Sequence, residues 1–215
     1  MLVQPAELPA LFTPLTRDWF DWPTPEVARA LLGAYLVRRS AEGVSAGRIV
    51  ETEAYGPSMD LASHTRAGRT RRTAPMFGAV GHAYVYLVYG MHECLNVVAR
   101  DATRAEAGAV LLRALEPTVG VDQMRLRRAN PADPDSRLAA GPARLCQALA
   151  VDRSFSGHDL TVADRLWVAL RANEAPVDDA DVAVGTRIGV QYAGGEWSSK
   201  PWRYWLRDNP SVSRR

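Results

Sequence analysis

The run His82 to Val88, the turn Tyr89-Gly90-Met91-His92 and the run Cys94 to Ala99 constrain this chain more than any other segment. Two apolar, β-prone runs joined by a short turn containing glycine read as an antiparallel hairpin. Further β-prone runs at Tyr35 to Arg38, Gly47 to Tyr55, Ala109 to Leu115, Leu166 to Leu170, Thr186 to Val190 and Trp202 to Leu206 are predicted strands. Ala41-Glu42-Gly43 supplies the turn between the first two. Helices are expected after Thr24 as N-cap with Pro25 in the first helical position, around Asp122 to Arg128, and from Gly141-Pro142 through Leu149. Glu116-Pro117 separates the Ala109 strand from the helix that follows it. Strands mixed with a few helices, without a regular βαβ rhythm, place the chain in the α+β class with a largely antiparallel sheet.

A length of 215 residues with 47% hydrophobic content fits a single domain spanning 1–215. Pro5, Pro9 and Pro14 suggest a loosely ordered tail over 1–17, and the prolines and aspartates of Asn130 to Ser136 suggest a mobile loop over 130–138. The N-terminus shows no basic segment followed by an apolar one, and no apolar run approaches the roughly 20 residues that span a bilayer. A soluble, cytoplasmic protein without membrane contact is expected. Cys94 and Cys146 lie far apart without metal-ligand spacing, so both are expected to be small core residues rather than parts of a zinc site. Lys200 is the sole lysine among 26 basic residues, a bias that GC-rich codon usage produces on its own.

The segment Ile49 to Tyr55 carries candidate chemistry. Side chains alternate along an extended strand, so Ile49, Glu51, Glu53 and Tyr55 would share one face while Val50, Thr52 and Ala54 pack behind. Two carboxylates would then stand roughly 6.6 Å apart at the backbone, a spacing suited to acid and base catalysis at a glycosidic bond. Exposed or arginine-paired acids would show the same spacing. Asp60 and His64 follow closely, and with Glu51 or Glu53 they could also form a metal site, as a metal-dependent nuclease would require.

Three further features suggest a nucleic-acid substrate. Tyr84 and Tyr86 fall on one strand face, Tyr84 reading as core. Tyr89, at the hairpin tip, has nothing of its own to pack against and could act as a wedge in duplex DNA. Arg66, Arg69, Arg71 and Arg72 lie in a polar, irregular stretch and read as phosphate contacts or as a solvated loop. Arg113 interrupts an apolar strand and must find a partner, because an isolated buried charge is costly.

The motifs Glu51-Thr52-Glu53-Ala54-Tyr55, His64, Met76-Phe77, Tyr84 to Met91, Asn96, Leu112 to Pro117 and Gly141 to Leu149 occur in order across nearly the whole chain. In this set the chain resembles the alkyladenine (3-methyladenine) DNA glycosylases of eukaryotic type, which also occur in bacteria. The resemblance implies a curved, largely antiparallel sheet flanked by helices with a protruding hairpin, similar to the C-terminal domain of methionyl-tRNA formyltransferase. It implies a monomeric, cofactor-free enzyme of the bacterial or archaeal cytoplasm, associated with the nucleoid, acting on double-stranded DNA that contains damaged purines. By the same resemblance Glu53 would activate water, with Arg113 and the main chain of Ile188 helping to hold it. Tyr55, His64, Tyr86 and Asn96 would form the base pocket, and Tyr89 with Met91 would intercalate. His92 departs from the aromatic residue that animal members often carry in the turn. A non-catalytic nucleic-acid-binding module of the same fold is the main rival reading, and it would not need Glu53.

Overall fold

The computed structural model describes residues 8–100, 107–130 and 132–213. Among them, nine strands form one sheet: β1 Phe12–Pro14, β2 Tyr35–Ser40, β3 Gly43–Tyr55, β4 Ala83–Val88, β5 His92–Val98, β6 Ala109–Val119, β7 Leu166–Arg171, β8 Val182–Gly185 and β9 Arg203–Leu206. The main order is β1-β7-β2-β3-β6-β5-β4, with β9 pairing both β3 and β8, and every pairing between these strands is antiparallel. The helices are α1 Leu8–Leu11, α2 Thr24–Ala30, α3 Val121–Arg128, α4 Pro142–Ala148 and α5 Gly195–Ser199. This is the expected α+β architecture.

The core forms where α2 lies on β3 and β6 and α4 lies on β5 and β6. Leu31, Ile49, Val50, Leu95, Leu112, Leu115, Leu145 and Leu149 belong to one buried cluster there. Thr52 sits on the same side, its hydroxyl donating to the Ala28 carbonyl at 2.7 Å. β3 therefore turns Thr52 toward helix and Glu51 and Glu53 away from it.

Several boundaries differ from expectation. Thr24 is the first residue of α2 rather than its cap, because Pro23 takes the capping position and Thr24 is buried beside Gly108. Ile49 does not share the carboxylate face: the pairing of β3 with β6 is irregular between Ile49 and Glu51, and Ile49 and Val50 both enter the core. A bulge of this kind breaks strict alternation. β6 continues through Pro117, which pairs opposite Gly47 beside a register shift, a position where a missing N–H is tolerated. The strand expected at Thr186 to Val190 lies earlier, at Val182–Gly185, because the Ile188 N–H is bonded to a side chain instead of a neighbouring strand.

Within the expected N-terminal tail, residues 1–7 lie outside the described residues, whereas Phe12–Pro14 pair with β7 and Phe12 is fully buried against Tyr35. In the segment 130–138, residue 131 lies outside the described residues, Asp135–Arg137 form a 3₁₀ turn, and Arg125 bonds the Asp133 carbonyl at 2.6 Å. Cys94 and Cys146 are both buried and free. No helix among the described residues is long and apolar enough to cross a membrane.

Candidate active site

The hairpin of β4 and β5 forms one end of the sheet. Its turn places Tyr89 at φ 52° and Gly90 at φ 72°, and the Met91 N–H bonds the Val88 carbonyl at 3.2 Å. Two successive positive φ values belong to the primed turns that match strand twist, and glycine adopts them freely. Tyrosine does not, so the turn holds a strained, bulky residue at its tip. Tyr89 is 88% exposed and Met91 70% exposed, as a wedge requires.

Below the turn lies a cavity of about 450 Å³. Tyr55, His64, Arg72, Tyr86, Tyr89, Asn96, Arg113 and Ile188 all line it, so the structure brings together eight of the residues singled out from sequence. Tyr86 stacks on Tyr84 with centroids 5.3 Å apart, and His64 meets Tyr86 edge-on at 4.5 Å. Tyr84, read as core, does both jobs: it is buried, it contributes to the lining, and its hydroxyl lies 3.0 Å from His64 Nδ1. Asn96 is buried in the wall and donates its Nδ2 to the Tyr84 carbonyl at 3.1 Å. Burial, with Arg72 and Arg66 adding like charge, pushes His64 down to about 4, so its imidazole is neutral at physiological pH. Burial likewise raises the hydroxyls of Tyr55 and Tyr86, which keeps both as phenols.

Glu53 sits directly behind this wall, fully buried. Two hydrogen-bond donors and one cation converge on it. The Ile188 N–H bonds Oε1 at 2.7 Å, Arg113 Nη1 lies 3.3 Å from Oε1, and the Tyr55 hydroxyl donates to Oε2 at 2.8 Å. All three of these residues line the cavity, and Glu53 itself lies behind them.

Glu51 has a different environment. Arg113 Nε and Arg203 Nε reach its Oε1 at 3.0 and 2.7 Å, and the Ser213 N–H reaches Oε2 at 2.8 Å. Burial alone would raise Glu51, but Arg113, Ser213 and Arg203 outweigh it and hold the carboxyl below its usual range. Burial would lower Arg113, yet Glu53 and Glu51 together raise it. Arg113 is thus the paired buried charge expected from sequence, shared between both carboxylates. Arg203 and Ser213 were not singled out, since nothing local marks residues so far along the chain as partners of Glu51.

The metal-site reading is not supported by the geometry. Asp60 is spent on Arg187, at 2.6 and 3.0 Å, and on the N–H groups of Gly56 and Ala62. Glu51 is spent on its two arginines, and no group of three His, Cys, Asp or Glu among the described residues could hold a metal ion. Of the loop arginines, Arg72 lies over the Tyr86 ring at 5.4 Å and Arg66 over Tyr192 at 5.3 Å, while Arg69 and Arg71 are exposed outside the lining. Tyr192, also unforeseen, lines the cavity and is 61% exposed.

Comparison with known proteins decides the family. The model of the methylpurine-DNA glycosylase (MPG) family matches residues 18–210. The chain belongs to that family. The mouse DNA-3-methyladenine glycosylase is 44% identical over 208 residues, covering 91% of this chain and 60% of the mouse protein. The human DNA-3-methyladenine glycosylase is 42% identical over 212 residues, 94% of this chain and 68% of its own length. A Methanocella arvoryzae protein, provisionally named a 3-methyladenine DNA glycosylase, is 45% identical over 202 residues and is covered over 96% of its length. The chain therefore spans three fifths of the mouse relative but nearly all of the archaeal one.

Proposed function

We propose that this chain is a monofunctional DNA glycosylase that extrudes alkylated or deaminated purines from duplex DNA and hydrolyses their N-glycosidic bond. The observation that carries this reading is Glu53, buried behind an aromatic cavity and held by two cavity-lining hydrogen-bond donors and the cavity-lining Arg113 cation.

The proposed sequence starts at the hairpin. Tyr89, with Met91 beside it, enters the stack in place of the extruded nucleotide, at a cost of a few kcal/mol that is least where damage has already weakened pairing. The exposed loop arginines Arg66, Arg69, Arg71 and Arg72 take phosphates, so binding weakens with salt. The extruded base stacks on Tyr86 opposite Tyr55, with His64 at its edge. Alkylated purines such as 3-methyladenine and 7-methylguanine carry positive charge, which electron-rich rings favour by roughly 0.5–2 kcal/mol. A neutral His64 adds no repulsion to that cation. Asn96 in the wall gives the pocket a polar group that penalises the exocyclic amino group of normal guanine. Hypoxanthine and ethenoadenine belong to the same proposed substrate class.

Water then takes the place of one donor on Glu53, with Arg113 and the Ile188 main chain beside it. Glu53 removes its proton while its charge stabilises the oxocarbenium-like sugar, a combination worth typically 10²–10⁴-fold for the proton transfer alone. A lyase step would need an amine nucleophile. Lys200, the only lysine, packs its ammonium over Trp197 and Trp202 at 4.5 and 5.2 Å and is not among the cavity residues.

The test is release of free base, in EDTA, from a duplex containing one hypoxanthine and from methylated genomic DNA. Release without strand nicking is the expected result. Tight DNA binding without release would favour the non-catalytic module, and a borohydride-trapped covalent complex would overturn the monofunctional part.

A further inference from the structure

The most heavily bonded side chain near the site is one that the proposed reaction does not use. Arg187 and Asp60 are both fully buried as side chains. Arg187 Nη1 and Nη2 form a fork on the two Asp60 oxygens at 2.6 and 3.0 Å. The same two nitrogens donate to the Ala54 carbonyl at 3.0 Å and the Trp197 carbonyl at 2.9 Å. The guanidinium lies over two rings, 4.9 Å from the Tyr55 centroid and 5.1 Å from that of Trp202.

This arrangement has a direct consequence for Glu53. The residue after Arg187 supplies the N–H on Glu53 Oε1, and the ring on which Arg187 stacks supplies the hydroxyl on Oε2. Segment 186–190 has no strand pairing of its own, and Gly189 within it adopts φ 78°. Its position beside β3 is set by side-chain bonds, and the Arg187 fork is the most extensive of them.

Resting on the glycosylase reading, we infer that Arg187 is a positioning residue for the reaction: it fixes the Ile188 N–H and the Tyr55 hydroxyl against the Glu53 carboxylate. A bidentate, stacked guanidinium is not replaceable by an ammonium, which offers neither the planar fork nor the flat face. Misplacing the groups that hold a catalytic carboxylate by about 1 Å can cost 10²-fold in rate.

Arg187→Lys tests this with two readouts. The first is the single-turnover rate of base release per active molecule, with lesion-DNA affinity measured in parallel. The expected result is a rate lower by about 10²-fold with unchanged affinity. The second needs no activity: the Ile188 amide is expected to lose its downfield shift and its protection from hydrogen exchange. A wild-type rate per active molecule, with an unchanged Ile188 amide, would make Arg187 a purely structural residue and overturn the inference. Should Arg187→Lys fail to fold, Trp202→Leu keeps the ion pair and removes one stacking ring. It is expected to show both changes with a smaller, about tenfold, loss of rate, and wild-type behaviour in both would equally overturn the inference. If the wild type releases no base, the glycosylase reading fails, while the Ile188 amide still decides the role of Arg187.

Discussion

Glu51 and Glu53 share one face of one strand, both fully buried and both in contact with Arg113, yet their remaining partners lie in different places. Glu51 is closed off by Arg203 and Ser213, neither of which lines the cavity. Glu53 is held by Tyr55 and Ile188, both of which line the cavity. One carboxylate ties strands β3, β6 and β9 together, and the other is held by groups that line the cavity. The spacing of two acids on a strand therefore carries little information, whereas the location of their partners separates an anchor from a candidate base.

The strongest way to break this contrast is to remove the anchor. Glu51→Ala would leave Arg113 and Arg203 without a shared acceptor and is expected to cost about 3–5 kcal/mol of stability, read from denaturant unfolding. A cost below about 1 kcal/mol would place Glu51 among the weak ion pairs and dissolve its anchoring role.

Changing the cavity side should do the opposite. Tyr89→Ala removes an exposed wedge, so stability should hold or rise as backbone strain eases, while affinity for lesion DNA falls by about 1–3 kcal/mol. Equal binding by the variant in a titration would show that the hairpin tip does not enter the DNA.

Acid separates the two sides again. Glu51 has a folded pKa below its usual 4.5, so its contribution to stability is fully present above that pH and fades as pH falls through the lower folded value. The His64 pKa is lowered from 6.5 to about 4, so the unfolded chain binds its proton first and this contribution to stability is lost as pH falls from 6.5 toward 4. An NMR titration of His64 should show a midpoint near 4; a midpoint near 6.5 would mean that the pocket does not desolvate the ring. Least in size, replacing Arg69 or Arg71 by Gln should reduce the salt slope of DNA binding by about one each where the residue contacts a phosphate. A slope unchanged by both substitutions would assign them to a merely solvated loop.

How much of this was legible in the sequence follows from the range of the interactions involved. The hairpin with its exposed Tyr89, the helix beginning near Pro25 and the obligatory pairing of Arg113 depend on neighbours in sequence, and the structure contains each of them. What escaped depends on residues far apart: Arg203 and Ser213 on Glu51, Arg187 on Asp60, Tyr192 in the same cavity lining as the hairpin. The displacement of the strand expected at Thr186 to Val190 has the same origin, because the Glu53 side chain takes a backbone N–H that periodicity assigns to a sheet. The bulge after Ile49 likewise arises from pairing with β6 and leaves no local signature.

The most direct test compares Glu51→Gln with Glu53→Gln in EDTA, as single-turnover base release per folded molecule from a hypoxanthine duplex, with DNA affinity measured alongside. The account predicts that Glu53→Gln binds lesion DNA like the wild type but loses about 10²–10⁴-fold in rate, while Glu51→Gln is less stable and retains most of its rate per folded molecule. Equal loss in both variants, or an active Glu53→Gln, would contradict the assignment of one carboxylate to structure and the other to chemistry.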